Sequence, residues 1–434
     1  MYTPCIMSKL VSLWKENPVA RNGIVFTFFA FLNQGINFLL LLVLTKFLVP
    51  EMYGKLNLFN TYLLFINIFV MLNANGLVGV NYFKVSREHT QKTIYSIILI
   101  GCFFTVFSIL VLCFFPDFWQ QISGFSAMYL GLAVVYCFFN NISSLNMVLW
   151  RAEQKPIQYG VYSAGLVFLN AILTIAFIVF CKLEWEARIY AQFSVSCVFV
   201  LISTVFLLRR RYIIPKEIPQ IRYFWESIKF GVPLIPNAIS WWATQGVNRI
   251  LINRFFDLVS VGYFSFASNV CNLIQVVGSS FYQSYQVDIY KQLNKPKEKA
   301  VPYLRRLTLK ITTLYIAISL IFFVCSYMLV PYVFPKYADA LPMFIPLCLG
   351  AFFSNMQQLF ISYLFYFGRT KEIMWINVSC TIISIVLGYM LIRYDILIAA
   401  YLLCFTHACA FMLTFGYSQK LYPLGLYTKG SSLH

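Results

Sequence analysis

An arginine and two rows of amides occupy positions where the surrounding chain is apolar. Asn237, Gln245 and Arg249 recur at multiples of four along one apolar segment. Asn272, Gln275, Ser279, Gln283 and Gln286 follow one another at three or four along the next. Helical spacing puts each set on one face. A guanidinium suits phosphate because its planar fork donates two hydrogen bonds at once. Amides supply the mixed donors and acceptors that sugar hydroxyls need. Such groups are costly in hydrocarbon, so the faces are expected to look into protein or water. The pattern reads as the wall of a hydrated cavity in the middle of a bilayer. Two alternatives stay open: Arg249 snorkels to the outer interface or joins a structural ion pair, and the rows are interhelical polar packing.

Other candidates lie around this stretch. Arg21 and Lys229 fall at equivalent inside edges of the first and seventh apolar segments, where they either bind an anionic group or act as ordinary basic anchors. Lys46 and Arg254 have the same ambiguity at the outer edges. Asn57, Asn60, Asn67 and Asn75 make a further polar row in the second segment, with Asn37 in the first and Asn248 beside Arg249. Trp241 and Trp242 could stack on sugar faces or meet lipid. His407 is either a hydrogen-bonded core residue or a proton relay. Asp257 and Asp288 read as solvated helix ends.

The elements that position these residues follow from composition. Of 434 residues, 60% are hydrophobic and 11% charged, against about 25% charged in a soluble domain. Twelve spans are expected, at 22–45, 56–82, 93–115, 125–150, 158–181, 187–208, 228–252, 260–287, 308–333, 339–367, 373–392 and 396–418. Apolar runs of ~20 residues cross a bilayer as helices. The expected organisation is a cytoplasmic N-terminus (1–21), a six-helix lobe (22–208), a cytoplasmic linker (209–227), a second six-helix lobe (228–418) and a cytoplasmic tail (419–434). The first apolar run is expected to insert as an uncleaved anchor. With the N-terminus inside, and basic residues at span edges counted with their loops, 25 Lys and Arg fall in inside segments, 7 outside, and Arg249 alone deep within a span. The positive-inside rule thus accounts for the net charge of +18 without nucleic acid. The twelve cysteines show no metal-binding spacing and read as packing residues.

The halves resemble each other at an offset of 208. Lys46 falls on Arg254, Gly54 on Gly262, and Arg21 and Gly23 on Lys229 and Gly231. The polar rows register too: Asn37 on Gln245, Asn57 on Ser265, Asn60 on Ser268, Asn67 on Gln275 and Asn75 on Gln283. Six spans per half make the repeats parallel, related by an axis along the membrane normal.

Three stretches carry a family resemblance: TKFLVPEMYGKLNLF (Thr45–Phe59), LWRAEQKPIQYG (Leu149–Gly160) and FGVPLIPNAISWWATQGVNRILINRFFDLVSVGYFSFA (Phe230–Ala267). They resemble Wzx-type polysaccharide (O-antigen or exopolysaccharide) flippases. That family belongs to a superfamily shared with lipid II flippases and the multidrug and toxic compound extrusion antiporters. The resemblance implies an all-α integral membrane protein, with two parallel six-helix lobes in a V around a central cavity. It also implies translocation of polyprenyl-diphosphate-linked oligosaccharide from the inner to the outer leaflet of the bacterial inner membrane. In this family an acidic residue usually precedes the arginine of the seventh span. Here the pair is Asn248-Arg249, which puts ion coupling through an acid at that point in doubt.

No enzyme constellation is visible. There is no GxxxxGK[ST], GxSxG or HExxH, and no large outer loop with paired carboxylates. The resemblance thus implies a flippase working by alternating access, and no cofactor and no metal are expected. Its partners would be the lipid-linked glycan, membrane lipids and a polysaccharide polymerase, with no nucleic acid. The rivals are a drug or cation antiporter, which would need intramembrane acids, and a membrane-embedded glycosyltransferase or polymerase, which would need a catalytic outer loop.

Overall fold

A computed structural model describes residues 18–213 and 219–425, with the side chains of 18–20, 283, 284 and 287 left aside. The Gln283 side chain therefore lies outside the described residues, as do residues 1–17, 214–218 and 426–434 of the expected N-terminal segment, linker and tail. The described residues contain α-helices and short 3₁₀ turns and no strand. In chain order the helices are α1 (Pro18–Phe47), α2 (Pro50–Val70), α3 (Asn75–Lys84), α4 (Arg87–Phe114), α5 (Pro116–Ser123), α6 (Ala127–Ala152), α7 (Pro156–Val179) and α8 (Glu186–Arg209). There follow α9 (Ile221–Gly231), α10 (Ile235–Phe255), α11 (Leu258–Leu293), α12 (Lys297–Val333), α13 (Leu341–Tyr366), α14 (Thr370–Leu391) and α15 (Leu397–Leu421).

Local chemistry places the ends. Ser86 caps α4, its hydroxyl accepting from the His89 amide at 3.3 Å. Asp257 caps α11, its carboxylate accepting from the Ser260 amide at 2.7 Å. Each cap satisfies an amide that the first helical turn leaves without a partner. Pro116 and Pro156 open α5 and α7 at positions where a missing N–H costs nothing. Gly124 ends α5 at φ +77°.

Nine described helices are long and apolar enough to cross a membrane, or ten if α2 and α3 count as one broken span. Those two meet at a 42° bend. At the bend Leu72 and Asn73 take φ of 49° and 54°, a left-handed backbone that disfavours branched side chains. The expected spans 228–252 and 260–287 overlap α10 and α11, which run on to Phe255 and Leu293. Asn237, Gln245, Asn248 and Arg249 interrupt the first and Asn272 and Gln275 the second, which lowers their hydropathy below that of the other spans. Down one side of α4, Phe103, Phe107, Leu110 and Phe114 are exposed, and down α12 so are Ile316, Leu320, Val324 and Met328. Apolar stripes of this length on the outside of a fold are what acyl chains cover.

The chain divides into two compact units. Among the described residues, the first comprises 18–48, 62–213 and 219–235, the second 49–61 and 236–425. In the first, α6 packs on α8, α4 and α3, and α1 packs on α7. Val78, Ile94, Ile97, Leu145, Leu149 and Leu207 form its buried core. In the second, α13 packs on α15, α11 and α12, and α14 on α15. Its core joins Ile289, Leu304, Ile311, Tyr315, Leu359 and Phe360. Each core consists of one apolar stripe per helix, so the polar rows are left to find partners among themselves.

Candidate functional site

Arg249 is buried in the second unit, and its guanidinium points into protein. Nε donates to Ser265 Oγ at 3.0 Å, Nη1 to the Gln245 carbonyl at 2.7 Å, and Nη2 to Asn269 Oδ1 at 3.5 Å. Asn269 then donates to the Tyr53 hydroxyl at 2.8 Å and to Asn57 Oδ1 at 3.0 Å. The cluster ties α10 to α11 and to the first half of α2, all within that unit. Three of the five guanidinium N–H donors are thereby used. Every acceptor is neutral, and among the described residues Arg249 is in no ion pair. The positive charge keeps its field, which favours an anion nearby.

One turn before Arg249 the α10 wall opens onto a polar cavity of about 340 Å³ in the same unit. Helix α10 contributes Asn237, Ser240, Thr244 and Gln245, and α11 contributes Gln275. Helix α13 adds Ser354, Gln357 and Gln358, α14 adds Asn377 and Thr381, and α15 adds Thr406 and His407. The lining side chains are prearranged by their own bonds. Ser240 donates to Thr381 at 3.0 Å, Thr244 and Thr381 lie 2.9 Å apart, and Gln357 donates to Asn377 at 2.9 Å. His407 is buried with Nε2 unpartnered against this space. Beside it, Gln245, Asn272, Gln275 and His407 line a recess of about 20 Å³, room for about one water. The lining residues carry no carboxylate, lysine or arginine. A wall of amides and hydroxyls at membrane depth can exchange hydrogen bonds with a neutral, hydroxyl-rich ligand without binding an ion.

The remaining candidates fall elsewhere. Asn248, also buried, donates to the Ala399 carbonyl at 3.4 Å and braces α10 on α15. In the first unit Asn67 and Asn75 are joined through Asn141. The Asn141 amide donates to Asn67 Oδ1 at 2.8 Å, and Asn75 donates to Asn141 Oδ1 and Ser144 Oγ at 2.8 Å each. Arg21, Asn37, Lys229 and Asn272 are exposed. Trp242 donates to the Thr61 carbonyl at 2.8 Å, and Trp241 is exposed at the cavity edge.

Sequence reasoning did not single out Asn141 and Ser144, or the cavity wall from α13 and α14. The signals were present: NNISS at 140–144 and SNMQQ at 354–358 are polar runs inside apolar spans.

Comparisons with known proteins agree with this architecture. Residues 19–287 match the polysaccharide biosynthesis protein family. Over 383 residues the chain is 22% identical to Lsg locus putative protein 1 of Haemophilus influenzae, covering 85% of this chain and 90% of that one. Its structure is similar to the inward-facing conformation of a multidrug resistance MATE family transporter of the MOP superfamily. The TM-score is 0.73 at 12% identity, covering 93% of this chain and 99% of that one. It is also similar to the lipid II flippase MurJ in its inward closed conformation, with a TM-score of 0.71 at 13% identity, covering 91% and 87%. At these identities the likeness establishes the fold, that of a helical multi-pass membrane protein. The family match runs from α1 through most of α11, well over half of the chain, so the chain belongs to the polysaccharide biosynthesis protein family.

Proposed function

We propose that the chain is a flippase moving polyprenyl-diphosphate-linked oligosaccharide units from the inner to the outer leaflet of the bacterial inner membrane, for surface polysaccharide assembly. It works by alternating access. Both termini are cytoplasmic, consistent with the 25 basic residues against 7 counted on the two sides. One observation carries the reading: an uncharged wall of amides and hydroxyls lies one helical turn from a buried arginine that has no acidic partner among the described residues. A glycan joined to a diphosphate needs that combination, neutral hydrogen bonds for the sugar and positive potential for the phosphates.

The glycan contacts are assigned to Gln245, Gln275, Asn272 and the other amides of the cavity; Gln283, Asn67, Asn75, Asn37 and Asn248 are assigned to the glycan as well, each by its residue type. Arg249, Arg21 and Lys229 are assigned to the diphosphate. The isoprenoid tail remains in lipid. A polysaccharide polymerase is the partner that would receive the product. The process is transport, with no covalent chemistry by this chain.

Deleting the gene and analysing the lipid carrier tests the proposal. Glycan-loaded carrier should accumulate on the cytoplasmic leaflet while surface glycan falls. An unaltered carrier pool with normal surface glycan ends it. A drug or cation antiporter is the second reading. The uncharged lining favours it less, because a cation held at membrane depth is usually paired with a carboxylate.

A further inference from the structure

A second cavity lies in the first unit, and none of its lining residues is among those assigned to the glycan or the diphosphate. Its volume is about 600 Å³, and it opens where α6 and α8 end and α4 and α7 begin. Three cations line it, Arg87, Lys155 and Arg210, against one carboxylate, Glu153. The Glu153 side chain is 9% exposed, and its charge is already paired. It pairs with Arg210, with Lys155 Nζ at 2.9 Å, and accepts from the Tyr212 hydroxyl at 3.3 Å. One carboxylate cancels one of three charges, so two remain.

The cations are also held together. Arg87 Nη2 donates to the Arg210 carbonyl at 2.8 Å. The Arg87 and Arg210 guanidinia lie 5.4 and 5.1 Å from the same Tyr212 ring. Arg210 Nη1 is buried and has no partner. Burial pushes the Tyr212 phenol up and the Arg210 guanidinium down from their ordinary values. Two turns frame the site with non-glycine residues in left-handed backbone, Gln154 at φ 56° and Arg211 at φ 55°. Such conformations persist where surrounding contacts over-determine them. Crowding like charges around an unused, desolvated donor is unfavourable unless an anion completes the set.

We propose that this cavity binds a phosphate group. The Arg210 Nη1 donor faces one phosphate oxygen, and the Arg87 and Lys155 side chains at the rim cover the others. Planar guanidinium and ammonium donors suit that geometry. On the proposed topology the cavity lies at the cytoplasmic surface, where anionic phospholipid headgroups and soluble phosphates are both within reach. The site stands independently of the glycan assignment.

Two probes separate the sources. The full-length protein, purified in a zwitterionic detergent, is titrated with inorganic phosphate and followed by phosphorus NMR. It is then placed in phosphatidylcholine bilayers with and without phosphatidylglycerol, and its thermal midpoint is read. Saturable binding of inorganic phosphate alone identifies a soluble ligand. A midpoint raised by phosphatidylglycerol identifies a headgroup. In whichever arm responds, Lys155→Gln and Arg87→Gln, both at exposed positions, should weaken binding about tenfold each. Glu153→Gln should tighten it about tenfold, because it removes the competing carboxylate. A purely structural ion pair predicts no gain from Glu153→Gln. The proposal is overturned if neither probe saturates, or if Glu153→Gln and Lys155→Gln both leave affinity unchanged.

Discussion

Gly54 of α2 and Gly262 of α11 lie at one close helix crossing, each against the carbonyl four residues before the other. A Cβ on Gly54 would overlap the Leu258 carbonyl oxygen, and a Cβ on Gly262 would overlap that of Pro50. Pro50 and Leu258 are separated by the same 208 residues as the two glycines. Exchanging the two partners therefore maps the crossing onto itself, which is a local two-fold axis. The weak sequence repeat has a physical reason at this point, because both copies need a residue without a side chain where two backbones touch.

The first prediction follows from that contact. The obstructing atoms are backbone oxygens, which cannot rotate away as a side chain can. Gly54→Ala and Gly262→Ala should each destabilise the second unit toward the upper end of the ~1–3 kcal/mol typical of overpacking. Gly23→Ala and Gly35→Ala, which meet no atom within 4 Å, are the controls. Thermal melting of the purified variants decides the point. Equal midpoints for all four would remove the close crossing as a structural requirement.

Arg249 gives the second. Lysine keeps the charge but cannot reach Ser265, the Gln245 carbonyl and Asn269 together. Hydrogen bonds from a charged donor contribute about 1.5–3 kcal/mol each. Arg249→Lys should lower glycan export about tenfold and soften the α2–α10–α11 junction. Arg249→Ala should abolish export, with protein still present in the membrane. Export equal to wild type by both variants would refute a role for the guanidinium.

Much of the fold could be read from composition and punctuation. Ser86, Pro116, Pro156, Gly124 and Asp257 mark helix ends through short-range chemistry that is visible in the chain. The break between α2 and α3 was not legible, because Leu72 and Asn73 adopt positive φ without a glycine to announce it. Gly231 helps to explain it: a Cβ there would overlap the Leu72 carbonyl, so the bend is shaped by a helix more than 150 residues away in sequence. The polar cavity was half legible. Gln245 and Gln275 stand out against apolar neighbours on their own helices. Asn377 and Thr381 gain meaning only once α14 is placed against α10, and no local pattern supplies that pairing.

Helix α9 yields a third prediction. Its Glu226 accepts from His89 Nε2 at 2.7 Å and from the Asn81 amide at 3.0 Å, while Tyr223 packs edge-on against the His89 ring. These bonds latch α9 onto α3 and α4 in the first unit. Glu226→Ala leaves Asn81, which is buried, short of one acceptor, a loss of about 1–3 kcal/mol. Hydrogen exchange of the amides in 221–231 should accelerate about tenfold or more, with α6 and α8 unchanged. Unaltered protection in 221–231 would show that α9 is held by its apolar face alone.

The cavity in the second unit gives the last and most direct prediction. Thr381 is a hub, bonded to both Ser240 and Thr244, and Asn377 accepts from Gln357. Thr381→Val preserves shape and removes the hydroxyl, and Asn377→Leu removes the acceptor. If glycan hydroxyls exchange with these groups during passage, each substitution should reduce export about tenfold, the size of one lost neutral hydrogen bond. Thermal stability should move little, because the cavity is open enough for water to satisfy the orphaned partners. Thr313→Val is the control, since that hydroxyl is exposed and bonds only its own helix, at the Leu309 carbonyl. A contact role predicts reduced export at near-native stability for Thr381→Val and Asn377→Leu, and no change for the control. Loss of export only in parallel with loss of folded protein would make the cavity wall a packing seam and remove the glycan path from it.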